Sequence, residues 1–313
     1  MSHALVIGEV LVDVVESADG TTAEHPGGSP ANVALGLARL GRDVELATWF
    51  GPDARGAAVR THLETDGVRI VPGSEGAERT STARARLDAD GAATYTFDLD
   101  WRVPEVALDH DVAVLHVGSI GTTLAPGGAA VAEIVAAARE HATITYDPNA
   151  RPSIMGSPDE VLATVEHLVA SADVVKVSDE DLAWLYPGHD PALVARRWVG
   201  SGPAVVVVTC GGDSSLGFTD TGRHVRLPPA VAHVRVGSPA VDIVDTVGAG
   251  DSYMAGLIDA LWAADLLGAD RREALVAIDS ETLRSAMEWA AEIAAITVSR
   301  AGANPPWRNE LEG

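Results

Sequence analysis

Two hydrophobic patterns take turns along the chain. Strand-sized apolar runs recur at Ala4 to Gly8, Val44 to Trp49, Val112 to Val117, Ala142 to Tyr146, Asp173 to Val177 and Pro203 to Thr209. Between them lie stretches with helical spacing: about Pro30 to Leu40, Ala54 to Asp66, near Pro126 to Glu140, and Pro158 to Ala170, with a further helix opened by Ser178. Strand-sized runs alternating with amphipathic helices predict an α/β fold. The fully apolar run ending at Thr209 predicts a central strand buried on both faces. The rhythm breaks once, where Thr80 to Leu87 and Ala93 to Leu99 alternate in polarity around the hairpin turn signal Asp88-Ala89-Asp90-Gly91. Together with Val10 to Val15 these predict a small accessory sheet, able to act as a lid over a pocket. Towards the C-terminus the pattern predicts short strands at Ser215 to Thr219 and Val225 to Leu227 and a buried strand at Val241 to Val244. A helix to about Leu267, a polar connection and a long helix over about Glu281 to Ser299 follow.

The candidate chemistry gathers where the predicted Val241 to Val244 strand meets its helix, at Asp245-Thr246-Val247-Gly248-Ala249-Gly250-Asp251. Two glycines around an alanine let backbone N–H groups approach an anion closely, and a helix N-terminus adds its unpaired N–H groups and dipole. Asp251 is a carboxylate placed where the backbone is built to hold negative charge. General-base catalysis accounts for it: Asp251 takes a proton from a hydroxyl that attacks a phosphoryl group held over the turn.

Other positions fit around this site. Asp13 interrupts an apolar strand, and a short carboxylate at a sheet edge can bind a pair of sugar hydroxyls. His25-Pro26-Gly27-Gly28-Ser29-Pro30-Ala31-Asn32 reads by itself as a glycine turn with a capping serine; its functional alternative is a backbone-lined pocket in which Asn32 offers a donor and an acceptor. Asp147-Pro148-Asn149-Ala150-Arg151 collects polar groups at a strand's C-terminal end, where open α/β sheets bind ligands. Lys176 is the only lysine in the chain, and it lies in an apolar strand on the side of Ser178. Ser178 is an N-cap with acids in the first turn behind it.

Composition narrows the functions open to the chain. Its 313 residues suffice for one large α/β domain with an accessory piece, or for two smaller domains. A formal net charge of -23 argues against general nucleic-acid or anionic-membrane binding, though not against one anionic ligand held by a local nest of N–H groups. Cys210 is the single cysteine, so no intrachain disulfide framework exists, in keeping with a reducing cytoplasm. No signal-like segment precedes the first strand, and the expected location is cytoplasmic.

At this point the residues match a family. Gly27-Gly28-Ser29-Pro30-Ala31-Asn32-Val33-Ala34 with Leu40-Gly41 resembles the first signature of the ribokinase-like (PfkB) carbohydrate kinases. Asp245 to Gly256 resembles the second, longer and more specific one. The resemblance covers nearly the whole chain. It implies one kinase domain over residues 1–313, with a doubly wound, mostly parallel sheet and a β lid from about 10–24 and 79–103. It implies ATP as donor, with Mg²⁺. It makes Asp251 the base and Gly248, Ala249 and Gly250 the anion hole. Asp13, Gly27, Gly28 and Asn32 match sugar-contacting positions, and Thr209, Gly211 and Gly212 the nucleotide-binding turn. Lys176 and Ser178 fall on the nucleotide side, with Asp181 at the Mg²⁺-water site. Asp245 and the backbone at Val247 match a site for a monovalent cation such as K⁺. Within the family, Asp147 to Ser153 and Lys176 to Asp181 look most like bacterial fructokinases, which turns Arg151 to the phosphoryl or sugar side of the cleft. Lid strands often pair between subunits in this family, so a homodimer is expected.

Three positions depart from the family pattern: Ser178 with Asp181 where asparagine and glutamate are frequent, Ser214 for a glycine after the nucleotide turn, and Ala291 near the adenine. The core motifs do not separate a fructokinase from a 2-keto-3-deoxygluconate, ribose or nucleoside kinase, although aromatic residues at 4% speak against a stacking nucleoside pocket. A non-catalytic sensor on this fold predicts a damaged base or anion hole, and both are intact. A dinucleotide-dependent dehydrogenase requires Gly-x-Gly-x-x-Gly after the first strand, which Gly8-Glu9-Val10 does not supply.

Overall fold

The structure is a computed structural model that describes residues 2–17, 21–87, 93–220 and 231–311. In chain order its elements are β1 (His3–Ile7), β2 (Leu11–Glu16), β3 (Thr22–Gly27), α1 (Ser29–Arg39), β4 (Val44–Ala47), α2 (Ala54–Thr65), β5 (Arg69–Ile70), β6 (Thr82–Leu87) and β7 (Ala93–Asp98). They continue with β8 (Val112–Gly118), α3 (Gly127–Ala138), β9 (Thr143–Asp147), α4 (Pro152–Met155), α5 (Pro158–Ser171), β10 (Val174–Ser178), α6 (Asp179–Leu185) and α7 (Pro191–Val199). The last are β11 (Val205–Cys210), β12 (Ser214–Asp220), β13 (Val231–Gly237), α8 (Ala249–Ala263), α9 (Arg272–Val276) and α10 (Ser280–Val298).

Nine strands form the main sheet in the order β13-β12-β11-β10-β9-β8-β1-β4-β5. The strands from β11 to β5 run parallel, and β12 and β13 add an antiparallel edge. Period-two alternation feeds both faces. Ala4, Val6, Val205 and Val207 pack beneath α1, α8 and α10, while Leu5, Ile7, Val206 and Val208 pack against α3, α5 and α7. Each of these side chains is 0% exposed, so each contributes about 1.5–3 kcal/mol of burial if aliphatic and larger than alanine. The sheet is covered on both sides, as continuous apolar strands require.

The second sheet has the order β3-β2-β6-β7. The chain passes from one sheet to the other at residues 8–10, between β1 and β2. Val10 to Val15, expected in the accessory sheet, lies there as β2, but Asp13 sits on an inner strand, not at an edge. β3 was hidden in the sequence by its Pro26-Gly27 end. Its pairing of Leu11 with Gly27 supplies the ladder that polarity alone did not show. The turn signal at 88–91 and the strand expected at 225–227 lie outside the described residues.

One strand expectation is overturned. Val241 to Val244 is not a buried strand: Ile243 and Val244 are 65% and 64% exposed, and the segment has no regular structure. The antiparallel edge is already closed by β13. The segment instead crosses the open end of the sheet, tied by the N–H groups of Val244 and Asp245 to the carbonyl of Val298. The helix after it ends at Ala263, short of Leu267, because Asp265 takes a left-handed φ of 58° and breaks the ladder.

Candidate active site

β8, β9, β10 and β11 end side by side at Gly118, Asp147, Ser178 and Cys210, in parallel register. Beyond these ends lies a cleft of about 1550 Å³. α8 enters it N-terminus first. Gly248 caps the helix with φ +77°, and an added Cβ there would stand 2.5 Å from the Cβ of Ala303, so both conformation and space require glycine. Ala249, Gly250 and Asp251 form the first turn, so the carboxylate lies inside the helix and not in a loop ahead of it.

Asp251 is 5% exposed. Its Oδ1 accepts from the Ser29 hydroxyl at 2.7 Å and from Asn149 Nδ2 at 3.3 Å, and its Oδ2 accepts from Asn32 Nδ2 at 2.8 Å. Ser29 is thus not the capping serine of α1: its helix has no side-chain cap bond, and the hydroxyl is spent on Asp251. Asn32, expected to face the sugar, donates to the same carboxylate. Asn149 holds an unusual φ of +37° for a non-glycine residue. Its amide also donates to Ser29 Oγ at 2.7 Å, while Arg151 donates to its Oδ1 at 2.7 Å. Arg151 therefore orients a group that orients Asp251.

Behind the turn, Lys176 Nζ lies 2.8 Å from Asp147 Oδ2, with both side chains buried. An added Cβ on Gly250 would stand 2.9 Å from that ammonium, so Gly250 lets a full positive charge back the anion turn. Burial opposes the charge on Lys176, but the Asp147 carboxylate outweighs it and holds the ammonium above its ordinary range. Burial pushes Asp147 up to about 6 against the pull of Lys176, with Asp181 and Asp251 adding to the rise. Asp147 has this ion pair but no aligned hydrogen bond to either oxygen.

At one end of the cleft, Asp13 stands beside Gly27 and Gly28. An added Cβ on Gly27 would reach within 2.6 Å of Asp13 Oδ2, and one on Gly28, whose φ is +118°, within 2.5 Å of the Glu9 carbonyl. Gly27 makes room for the Asp13 carboxylate, and Gly28 for the backbone at Glu9 and Val10. Burial raises the Asp13 carboxyl, opposed by His25 and Arg151. At the other end Ser178, Asp181, Thr209, Gly211, Gly212 and Ala291 line the wall. Asp181 is committed to local structure: it closes a capping box with Ser178 through bonds of 2.9 and 3.2 Å, and its Oδ1 accepts from the Ala150 N–H at 2.9 Å. Asp245 accepts from the N–H groups of Val247 and Gly302 at 3.0 and 2.9 Å, which hold its carboxyl below the usual range.

The sequence read Ser29 only as a capping residue and gave Asn149, Asp147 and Glu9 no individual role. Asn149 and Asp147 carried a signal, since both lie in the polar cluster after β9. Glu9 carries no such signal: it is a single acid between the apolar runs Ala4 to Gly8 and Val10 to Val15.

An open α/β sheet, a glycine-capped helix N-terminus with a buried carboxylate in its first turn, and a cleft running past both sides are the arrangement that phosphoryl transfer requires. Residues 1–310 match the family described as pfkB family carbohydrate kinase. A fructokinase of Klebsiella pneumoniae is 32% identical over 267 residues, 82% of this chain and 84% of that protein. A fructokinase of Xylella fastidiosa with bound ATP superposes with a TM-score of 0.81 at 23% identity, over 99% of this chain and 97% of that one. A fructokinase double mutant from Vibrio cholerae O395, in a form with fructose, ADP and potassium ion bound, gives a TM-score of 0.75 at 27% identity, over 97% and 94%. The chain belongs to the pfkB family of carbohydrate kinases.

Proposed function

We propose that the protein transfers the γ-phosphoryl group of ATP to a sugar hydroxyl, with fructose as the acceptor. The observation that carries this reading is the setting of Asp251, buried in the first turn of α8 and aimed by Ser29, Asn32 and Asn149 into the middle of one cleft. The sugar binds at the Asp13 end, where Gly27 and Gly28 leave the backbone bare and Arg151 offers donors. Asp251 removes the proton of the attacking hydroxyl. The N–H groups of Gly248, Ala249 and Gly250, backed by the Lys176 ammonium, receive the charge on the phosphoryl oxygens. ATP lies along Ser178, Thr209, Gly211 and Gly212. An added Cβ at either of these glycines would meet no protein atom within 4 Å, which leaves room for a close ligand; Gly211 also holds a left-handed φ of +51°, which its backbone alone reserves for glycine.

Among the described residues no group of three or more His, Cys, Asp or Glu side chains is placed to hold a metal by itself. That suits Mg²⁺, which in kinases needs only one or two carboxylates beside phosphates and waters. Asp181 would hold it through water, and the ion would neutralise charge on the phosphates. Asp245 and the Val247 backbone would hold a monovalent cation. Residues 1–313 act as one kinase unit, with the β2, β3, β6 and β7 sheet as its lid; the outer strands β3 and β7 provide edges for a homodimer. Among the described residues no helix is long and apolar enough to cross a membrane, and we place the protein in the cytoplasm.

The relatives named as fructokinases support fructose, as does the polar strand end at Asp147 to Arg151. An ADP-release assay over fructose, ribose, 2-keto-3-deoxygluconate and adenosine tests it. Fructose is expected to give the highest kcat/KM; activity confined to ribose or adenosine would remove fructose. Replacing K⁺ by tetramethylammonium in the same assay is expected to slow turnover.

A further inference from the structure

Glu9 is a buried acid for which the catalytic scheme above has no use. It stands at the joint where the chain leaves β1 for β2, and it is 6% exposed. Its Oε2 accepts from the Gly121 N–H at 2.8 Å. Gly121 belongs to a 3-10 turn, Ser119–Thr122, that follows β8. The turn begins at Ser119 with φ +54°, a conformation that costs a non-glycine residue of order 1 kcal/mol and persists only where neighbours enforce it.

The neighbours here are specific. The Gly121 carbonyl accepts from Trp101 Nε1 at 2.8 Å, so the peptides on both sides of Gly121 are held. An added Cβ on Gly121 would stand 2.8 Å from Glu9 Oε2 and 3.1 Å from the Gly8 Cα, while one on Gly8 would strike Pro30 Cγ at 2.2 Å. The turn, the joint and the start of α1 are stacked without room for side chains between them. Ser119 and Ile120 line the same cleft as Glu9, Asp13, Gly28 and Asn32.

We propose that Glu9 is a positioning residue for the acceptor sugar: by fastening the Ser119–Thr122 turn to the joint between the two sheets, it sets the wall against which the sugar is oriented. This rests on the sugar-kinase reading of the cleft. Glu9 acts through the turn, and Asp251 remains the group that meets the hydroxyl. Burial pushes the Glu9 carboxyl from its ordinary 4.5 up to about 7, opposed by the Ser119 hydroxyl, its own N–H, the Gly121 N–H and the nearby Arg151 guanidinium. The ionised form is therefore the majority above about pH 7, and it is the form that accepts from these donors with charge assistance. Below that pH the added proton becomes a donor among donors, and the turn loosens.

The test compares wild type, Glu9→Gln and Glu9→Leu by steady-state kinetics between pH 5.5 and 8.5 and by hydrogen exchange. In wild type, KM for the sugar is expected to rise as the pH falls through about 7, while KM for ATP stays level. Glu9→Gln should lack that step and resemble wild type at low pH, which separates Glu9 from Asp13, whose raised carboxyl shares this end. Glu9→Leu should raise KM for the sugar about tenfold at pH 8, with KM for ATP within about twofold. It should also speed exchange at amides 119–122 without changing α8. An equal rise in both KM values, unchanged kinetics, or unaltered exchange at 119–122 would overturn the proposal. Absence of sugar-dependent ADP release in wild type would instead overturn the sugar-kinase reading itself.

Discussion

Asp251→Ala should lose about 10²–10⁴-fold in kcat, the range that a positioned general base contributes. Binding of sugar and ATP, measured by calorimetry, should change far less. The reasoning is geometric. The carboxylate is already buried and held by Ser29, Asn32 and Asn149 before substrate arrives, so its removal deletes the proton acceptor without removing the walls of the cleft. Alanine is the better probe than asparagine. Asn32 Nδ2 and Asn149 Nδ2 are both donors, and an amide at position 251 would turn its own donor towards one of them. Near-normal phosphorylation by Asp251→Ala would remove Asp251 from the mechanism.

Lys176→Met should cost about 3–5 kcal/mol of folding free energy, because it strands Asp147 as a buried carboxylate with no ion-pair partner. Urea denaturation reads this directly. The double variant Lys176→Met/Asp147→Asn removes the stranded charge and should recover most of that stability. It should not recover turnover, since the positive charge behind Gly250 would still be missing when the phosphoryl oxygens arrive. A double variant with wild-type kcat would show that the pair serves the fold alone.

Much of this site was legible in the chain. The Asp245 to Asp251 stretch announced a glycine turn at a helix start with an acid in it, and Gly27-Gly28 announced bare backbone, because glycine leaves a one-dimensional mark wherever backbone must come close. The fold class was legible for a similar reason: a parallel sheet covered on both faces needs continuous apolar strands, as at Pro203 to Thr209. The same rule misled at Val241 to Val244, where apolar residues lie exposed at the mouth of the cleft. Local composition carried no information on whether β13 had already closed that edge.

Which side chains meet was a different matter. Ser29 and Asn32 reach Asp251 across more than two hundred residues of chain, and no spacing rule spans that distance. The Lys176 to Asp147 pair depends on the register between β9 and β10, which is set when the two strands pack and not by either one alone. Glu9 gained its importance only from a turn that β8 brings against it. The sequence by itself determined most of the elements, the glycine turn that opens α8 and the presence of an acid within it, since these follow from local periodicity and from glycine's freedom. Tertiary structure alone decided what aims that acid, what charge stands behind the turn and which acid fastens the far wall, because each is a contact between segments that are neighbours only once the sheet has formed.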